Sequence, residues 1–285
     1  MLKAKPKRGI SRTQKILFFA IGWLIVLMPF LFWWNTWFGR HLSDPQMAEY
    51  LHDDKKPRHI QHALVQIGDR MAHNDSSAKQ WYPELVRLAR DSVDEVRNTD
   101  AWVMGQDTSG AGFHEALLKL LADSSPMVRG NAALSLVRFG DASGRAQIVA
   151  LLQPVEITAP SAGRIIDADR AGTAIHQGGL LAKLAPSDAS QPAVEVRSPI
   201  PGRIRSVAQS GANVAAGAEV AVVTPSTDQI WEALRALYLV GQMDDIPAVR
   251  PYERELPDIS NDVRQQAVET EKAIRTRAGQ DVPDA

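Results

Sequence analysis

Asp123-Ser-Ser-Pro-Met-Val128-Arg129 has two counterparts in this chain: Asp91-Ser-Val-Asp-Glu-Val96-Arg97 and Asp258-Ile-Ser-Asn-Asp-Val263-Arg264. In each, an Asp stands five positions before a Val-Arg pair, and apolar residues at helical spacing follow. The Asp falls at the expected helix start, where a carboxylate accepts from free backbone N–H groups and faces the positive dipole end. Ala101, Ala132, Ala133 and Ala267 place small residues where two helices must approach closely. Gly68-Asp69, Gly140-Asp141 and Gly241-Gln242 read as helix stops. The repetition predicts helical repeats whose apolar stripes need a neighbour to bury them.

This pattern resembles HEAT-type repeats over residues 43–153 and 228–278. Asp53 to Asp69 looks like a degenerate copy without the Val-Arg pair, and Ala101-Trp102-Val103-Met104-Gly105-Gln106 is typical of the family's second helix. The resemblance implies an α-solenoid with a generic protein-binding surface. It names no partner.

A second repeat is of another kind. Val155-Glu-Ile-Thr-Ala-Pro160-Ser-Ala-Gly163-Arg164-Ile165 returns 39 residues later as Val194-Glu-Val-Arg-Ser-Pro199-Ile-Pro-Gly202-Arg203-Ile204, and ten of 32 aligned positions are identical. Short β-branched runs between regularly placed glycines predict strands and tight turns. The pattern resembles the biotinyl/lipoyl-type barrel-sandwich hybrid, a flattened β-barrel of two quasi-symmetric halves. That module occurs in carrier proteins and in membrane-fusion adaptors.

The two systems are interleaved. Arg145-Ala-Gln-Ile-Val-Ala-Leu-Leu152 reads as a helix before the β module, and Asp228 to Gln242 as the second helix of a HEAT pair after it. The expected layout is therefore an insertion inside one repeat, with Ile148 or Leu151 meeting Leu234 or Leu237. A serial layout with a separate helical tail is the alternative. The fold class expected is α+β multidomain: an N-terminal transmembrane helix, then an α-solenoid carrying an all-β barrel-sandwich hybrid. Its parts are a basic cytoplasmic tail at 1–15, an anchor at 16–38, HEAT-like repeats at 43–153, the β module at 154–226, completing helices at 227–278 and a flexible tail at 279–285.

The anchor is read from Ile16 to Trp34, nineteen residues without a charge. As a helix they would span about 28 Å, near the thickness of a hydrocarbon core. Lys3, Lys5, Lys7, Arg8, Arg12 and Lys15 precede them with no acid, so the N-terminus is expected on the cytoplasmic side of a bacterial inner membrane and the bulk in the periplasm. Trp33, Trp34 and Trp37 suit the far interface, and Pro29 a tolerated kink. A cleaved signal peptide lacks its small-residue cleavage site here, and the charge asymmetry argues against a core helix.

The rest of the composition excludes chemistries. Of 285 residues, 45% are hydrophobic, enough to bury cores, and there is no cysteine, so disulfides, thiolate metal sites and cysteine nucleophiles are excluded. The net charge of −1 and the lack of basic–aromatic interleaving argue against nucleic-acid partners. No G-x-S-x-G, H-E-x-x-H or P-loop is present. His52, His59 and His62 lie close together but lack a completing carboxylate, so solvated histidines are expected rather than a metal site. Asp167 and Asp169 are expected on a solvated loop, and Trp81, Trp102 and Trp231 as core fillers. Arg97, Arg129 and Arg264 are expected to pair with Asp groups of neighbouring repeats.

A carrier barrel presents a modifiable lysine at the turn between its halves. Here that turn, Ala185 to Ala193, has none, and Lys183 just before it lacks the flanking residues a ligase reads. No cofactor is expected. The function expected is a non-enzymatic, membrane-anchored scaffold for a membrane-associated protein complex. Pro186, Ser187, Asp188, Ser190 and Gln191 at the hairpin end are the candidate partner-binding residues. A periplasmic adaptor of an ABC-type exporter is one alternative, although the long helical hairpin such adaptors carry is missing. An accessory subunit of a respiratory complex is another. A carrier-type or lyase-type enzyme component is a third class.

Overall fold

The computed structural model describes residues 12–37, 41–187, 190–256 and 259–279. Residues 1–49 and 50–285 form two separate compact units. In the first, α1 (Arg12–Trp37) is a 26-residue helix with Pro29 inside it. The described apolar side chains of α1 are exposed, Phe19 at 71% and Leu27 at 42%. Among the described residues, no helix is long and apolar enough to cross a membrane. The span expected at 16–38 is therefore not established; the leading basic cluster up to Arg8 and the side chains of Trp33, Trp34 and Trp37 lie outside the described residues. Helix α2 (Asp44–Leu51) leads into the second unit.

That unit is a helical solenoid joined to a pair of antiparallel sheets. Helices α3 (Pro57–Ala72), α5 (Asp94–Met104), α7 (Pro126–Arg138), α9 (Thr227–Val240) and α11 (Asn261–Arg277) stack in one row. The shorter α4 (Tyr82–Leu88), α6 (Phe113–Leu120), α8 (Arg145–Ala150) and α10 (Ile246–Val249) back them. Ala101, Ala132, Ala133 and Ala267 are all fully buried, and small side chains there let the backbones close in. Two sequence expectations shift. Gly68-Asp69 does not stop α3, which runs on to Ala72; Gly68 instead packs against Trp102, whose ring would lie 3.2 Å from an added Cβ. The repeat Asp is not itself the helix cap. Asp91 and Asp123 accept from the N–H of Val93 and Ser125 at 2.8 Å, forming the turns that feed α5 and α7. Asp258 lies outside the described residues. Gly140 does end its helix, at φ +75°.

The β part comprises β1 (Val155–Thr158), β2 (Gly163–Ala168), β3 (Ala174–Ile175), β4 (Leu180–Pro186), β5 (Val194–Arg197), β6 (Gly202–Val207), β7 (Asn213–Val214) and β8 (Glu219–Pro225). They form two four-stranded sheets, ordered β1-β8-β6-β3 and β5-β4-β2-β7. Each sheet mixes strands of both sequence halves, and shifting every residue by 39 turns one sheet's register into the other's: Gly163 faces Pro186 and Gly202 faces Pro225. Neither half can satisfy its backbone alone. Two buried clusters fill this part, one around Ile165, Leu184 and Val196, the other around Leu181, Ile204 and Val223.

Chain connectivity places the sheets between α8 and α9, yet those helices share one core. Ile148, Leu151, Leu234 and Leu237 belong to a single buried cluster with Val249, Val263 and Ala267. Gln229 Nε2 donates to Leu151 O at 3.1 Å, Tyr252 Oη to Leu152 O at 2.5 Å, and Arg145 pairs with Asp245 at 3.4 Å. The β strands thus leave and re-enter the solenoid at one place.

Candidate functional site

Side-chain hydrogen bonds tie the long row together. Gln61 Nε2 donates to Thr99 Oγ1 (3.2 Å), Asn131 Nδ2 to Asn98 Oδ1 (2.9 Å), Ser135 Oγ to Ala101 O (2.8 Å) and Thr270 Oγ1 to Leu234 O (3.0 Å). Among the described residues no hydrogen bond joins α7 to α9. A cleft of about 810 Å³ opens along this step, bounded by α5, α7, α9 and α11. Leu134 and Ala236 line it, together with Trp102 of α5 and Tyr238 and Leu239 of α9. These last three are 44%, 42% and 59% exposed. Asn131, Gln106 and Gln266 add amides, and Arg138, Arg235, Glu232 and Glu269 add both signs of charge. Exposed aromatic and aliphatic groups among polar and charged side chains suit contact with a polypeptide.

This cleft was not found by reading motifs. Trp102 was expected as a core filler, but it stands at the end of α5 with nearly half its surface open. Trp81 is buried and Trp231 packs at the edge of the α8–α9 core, as core residues do.

The repeated arginines divide. Arg97 donates from Nε and Nη2 to the Asp123 carboxylate of the next repeat, at 2.7 and 2.9 Å. The hydrogen bond raises the Arg97 pKa. Burial alone would raise Asp123, yet the bonds from Arg97 and the Ser125 N–H hold it below its ordinary value. Arg129 instead donates to the carbonyls of Asp123 and Ser124.

The histidines are individually engaged. His59 Nδ1 lies 2.8 Å from Asp53 and its ring stacks on Tyr50, His62 meets Gln66 at 2.7 Å, and His52 lies 3.5 Å from Glu84. Burial lowers the His62 pKa, helped by His59. Among the described residues no cluster of three metal-binding side chains occurs. Asp167 and Asp169 are both exposed, and Asp169 accepts from the Arg170 N–H. Lys183 sits half-buried on β4, in register with Asp167 and Glu195.

The hairpin-end residues fall at the end of β4 and in the turn that follows it. Pro186 closes that strand, Ser187 donates its N–H to Ala162 O, and Ser187, Ser190 and Gln191 are exposed; Asp188 lies outside the described residues. Two acidic features gave no sequence signal. Asp100 is fully buried with both carboxylate oxygens unpartnered, and burial raises its pKa well above the ordinary range. Glu271 is bonded by Arg250 (3.0 Å) and Arg275 (2.6 Å). Burial alone would raise it, but those bonds bring it down to about 2. Neighbouring Glu253 is pushed up to about 7 by burial and by its bond to Glu271.

Comparison with known proteins adds a family for part of the chain. Residues 115–143, which cover most of α6 and all of α7, match the HEAT repeat. No curated protein matches. Among solved structures, the chain is similar to a computationally designed armadillo repeat protein for modular peptide recognition, at 18% identity and TM-score 0.38, over 81% of this chain and 82% of that one. It is also similar to a single-chain, multi-domain long-chain acyl-CoA carboxylase, at 16% identity and TM-score 0.24, over 62% of this chain and 16% of that one. At such TM-scores neither likeness bears on function. The HEAT match and the stacked hairpins make the helical part a repeat solenoid, an architecture that serves as a protein-interaction scaffold.

Proposed function

We propose that this protein is a non-enzymatic scaffold that holds a protein partner in the cleft over α5, α7, α9 and α11, while α1 anchors it in a membrane. The observation that carries the reading is the grouping of exposed Trp102, Tyr238 and Leu239 around that cleft. The β part acts as a rigid barrel-sandwich-type module without a carrier lysine, and its exposed hairpin end, Pro186 to Gln191, offers a second contact to the same complex.

Two features support the anchor. Residues 16–37 carry no charge, and they lie within one helix about 39 Å long whose described apolar side chains are exposed rather than packed. The basic residues before it favour a cytoplasmic N-terminus, with residues 41–285 on the outer side of a bacterial inner membrane. The partner is then a membrane-associated protein.

Cross-linking from intact membranes, followed by mass spectrometry, tests the reading. Partner peptides should attach near Trp102 and Leu239. Trp102→Ala and Leu239→Asp should each weaken capture about tenfold or more. Recovery of the chain alone, or capture indifferent to both changes, would defeat the scaffold. Release of the intact chain by carbonate would defeat the anchor.

A further inference from the structure

A second cavity, of about 920 Å³, lies between the outer face of the β1-β8-β6-β3 sheet and the helices around α9 and α10. Its helix side is apolar: Leu152, Ile230, Ala248, Tyr252, Leu256 and Ile259. Its sheet side offers Ala174, Pro225 and the stems of Arg203 and Arg205. This is the size of a small-molecule site, about 300–1,000 Å³.

Short connections hold the sheet side of this cavity close to α8 and α9. Gln153 and Pro154 alone separate α8 and its closing turn from β1, and β8 ends one residue before α9 begins. Ser226, the residue between, donates its N–H to Pro201 O and accepts from Gln229 N at 3.3 Å, fixing strand to helix. On the other side Tyr252 Oη is held on Leu152 O. Walls held apart in this way leave apolar surface that a hydrocarbon can cover.

The charge at the cavity narrows what fills it. Among the described lining residues the charged ones are Arg203 and Arg205, on the same face of β6. Arg203 donates to Gly172 O, while Arg205 is exposed and makes no hydrogen bond or ion pair among the described residues. We propose that this seam binds a long-chain carboxylate, its alkyl chain lying between Ile230, Tyr252 and Ala174 and its head group meeting the Arg205 guanidinium. An unpaired guanidinium beside an apolar slot matches an anion carried on a hydrocarbon tail.

The test is photo-labelling of the full chain in phosphatidylcholine nanodiscs with a diazirine analogue of palmitate, sites being mapped by peptide mass spectrometry. Labels are expected in peptides around Leu152, Ile230 and Tyr252. Ala174→Trp, which fills the cavity from an exposed strand position, and Arg205→Glu, which reverses the head-group charge, should each cut that labelling about tenfold. The alcohol of equal chain length should label the seam several-fold less. Labels confined to α1, equal labelling by the alcohol, or labelling unchanged in both variants would each overturn the proposal. The readout is independent of the Trp102 cleft, so either site can fail alone.

Discussion

Arg97 and Asp123 join two consecutive repeats by a two-pronged ion pair whose side chains are only 12% and 8% exposed. The same aspartate also turns the chain into α7 through the Ser125 N–H. One carboxylate therefore sets both the start of a helix and its distance from the previous one.

Arg97→Ala should destabilise the solenoid by roughly 2–3 kcal/mol, since it strands a mostly buried carboxylate. A double-mutant cycle with Asp123→Asn should return a coupling of about 1–2 kcal/mol. Because the folded Asp123 pKa lies below its ordinary value of 3.8, its contribution is full above that pH and is lost as pH falls below it. Urea unfolding at pH 7 and pH 3 measures both effects.

Asp100 occupies the position held by Ala132 and Ala267 in the other repeats. Burial raises its folded pKa above the ordinary value of 3.8, so its effect is a stability that declines as pH rises past that value. Asp100→Ala should raise stability at pH 7 by about 1–2 kcal/mol, and Asp100→Asn should flatten the decline. Thermal melts across pH 4 to 8 will show it. A lower melting temperature in both variants would mean that the carboxyl has an unseen partner.

Glu253 and Glu271 titrate in opposite directions. Glu253, raised to about 7, makes stability fall as pH climbs from 4.5 through 7. Glu271, lowered to about 2, adds stability above 4.5 that disappears as pH drops towards 2. Glu253→Gln should abolish the first change and leave the second. Hydrogen exchange over residues 246–256, followed with pH, reads the segment directly; equal protection at pH 5 and pH 8 in the parent chain would refute the assignment.

Gly163 and Gly202 hold equivalent places in the two β halves. A Cβ on Gly163 would lie 2.3 Å from Ala185 O, and one on Gly202 would lie 1.9 Å from Thr224 O. Both obstacles are backbone of a paired strand, so neither can swing aside. Gly163→Ala and Gly202→Ala should each destabilise the β part by about 2–3 kcal/mol, read as earlier loss of its amide protection.

Much of this architecture is legible in the sequence because repetition is a local signal. The Asp-to-Val-Arg spacing and the 39-residue offset need no knowledge of neighbours in space, and they yield hairpins, strands and the matching registers of the two sheets. Gly68 shows the limit. As a residue type it reads as a stop; packed under Trp102 it lets two helices touch and α3 continues.

The amino-acid order by itself determined the two repeat systems, the absence of a modifiable lysine at the hairpin end, and the charge-free run at 16–34. Tertiary structure alone decided where surfaces stay open. The α7–α9 cleft and the cavity beneath β6 are each lined by residues far apart in the chain, which only the packing of the elements brings together. The burial of Asp100 has the same origin, since only the packing of neighbouring helices distinguishes it from an exposed aspartate.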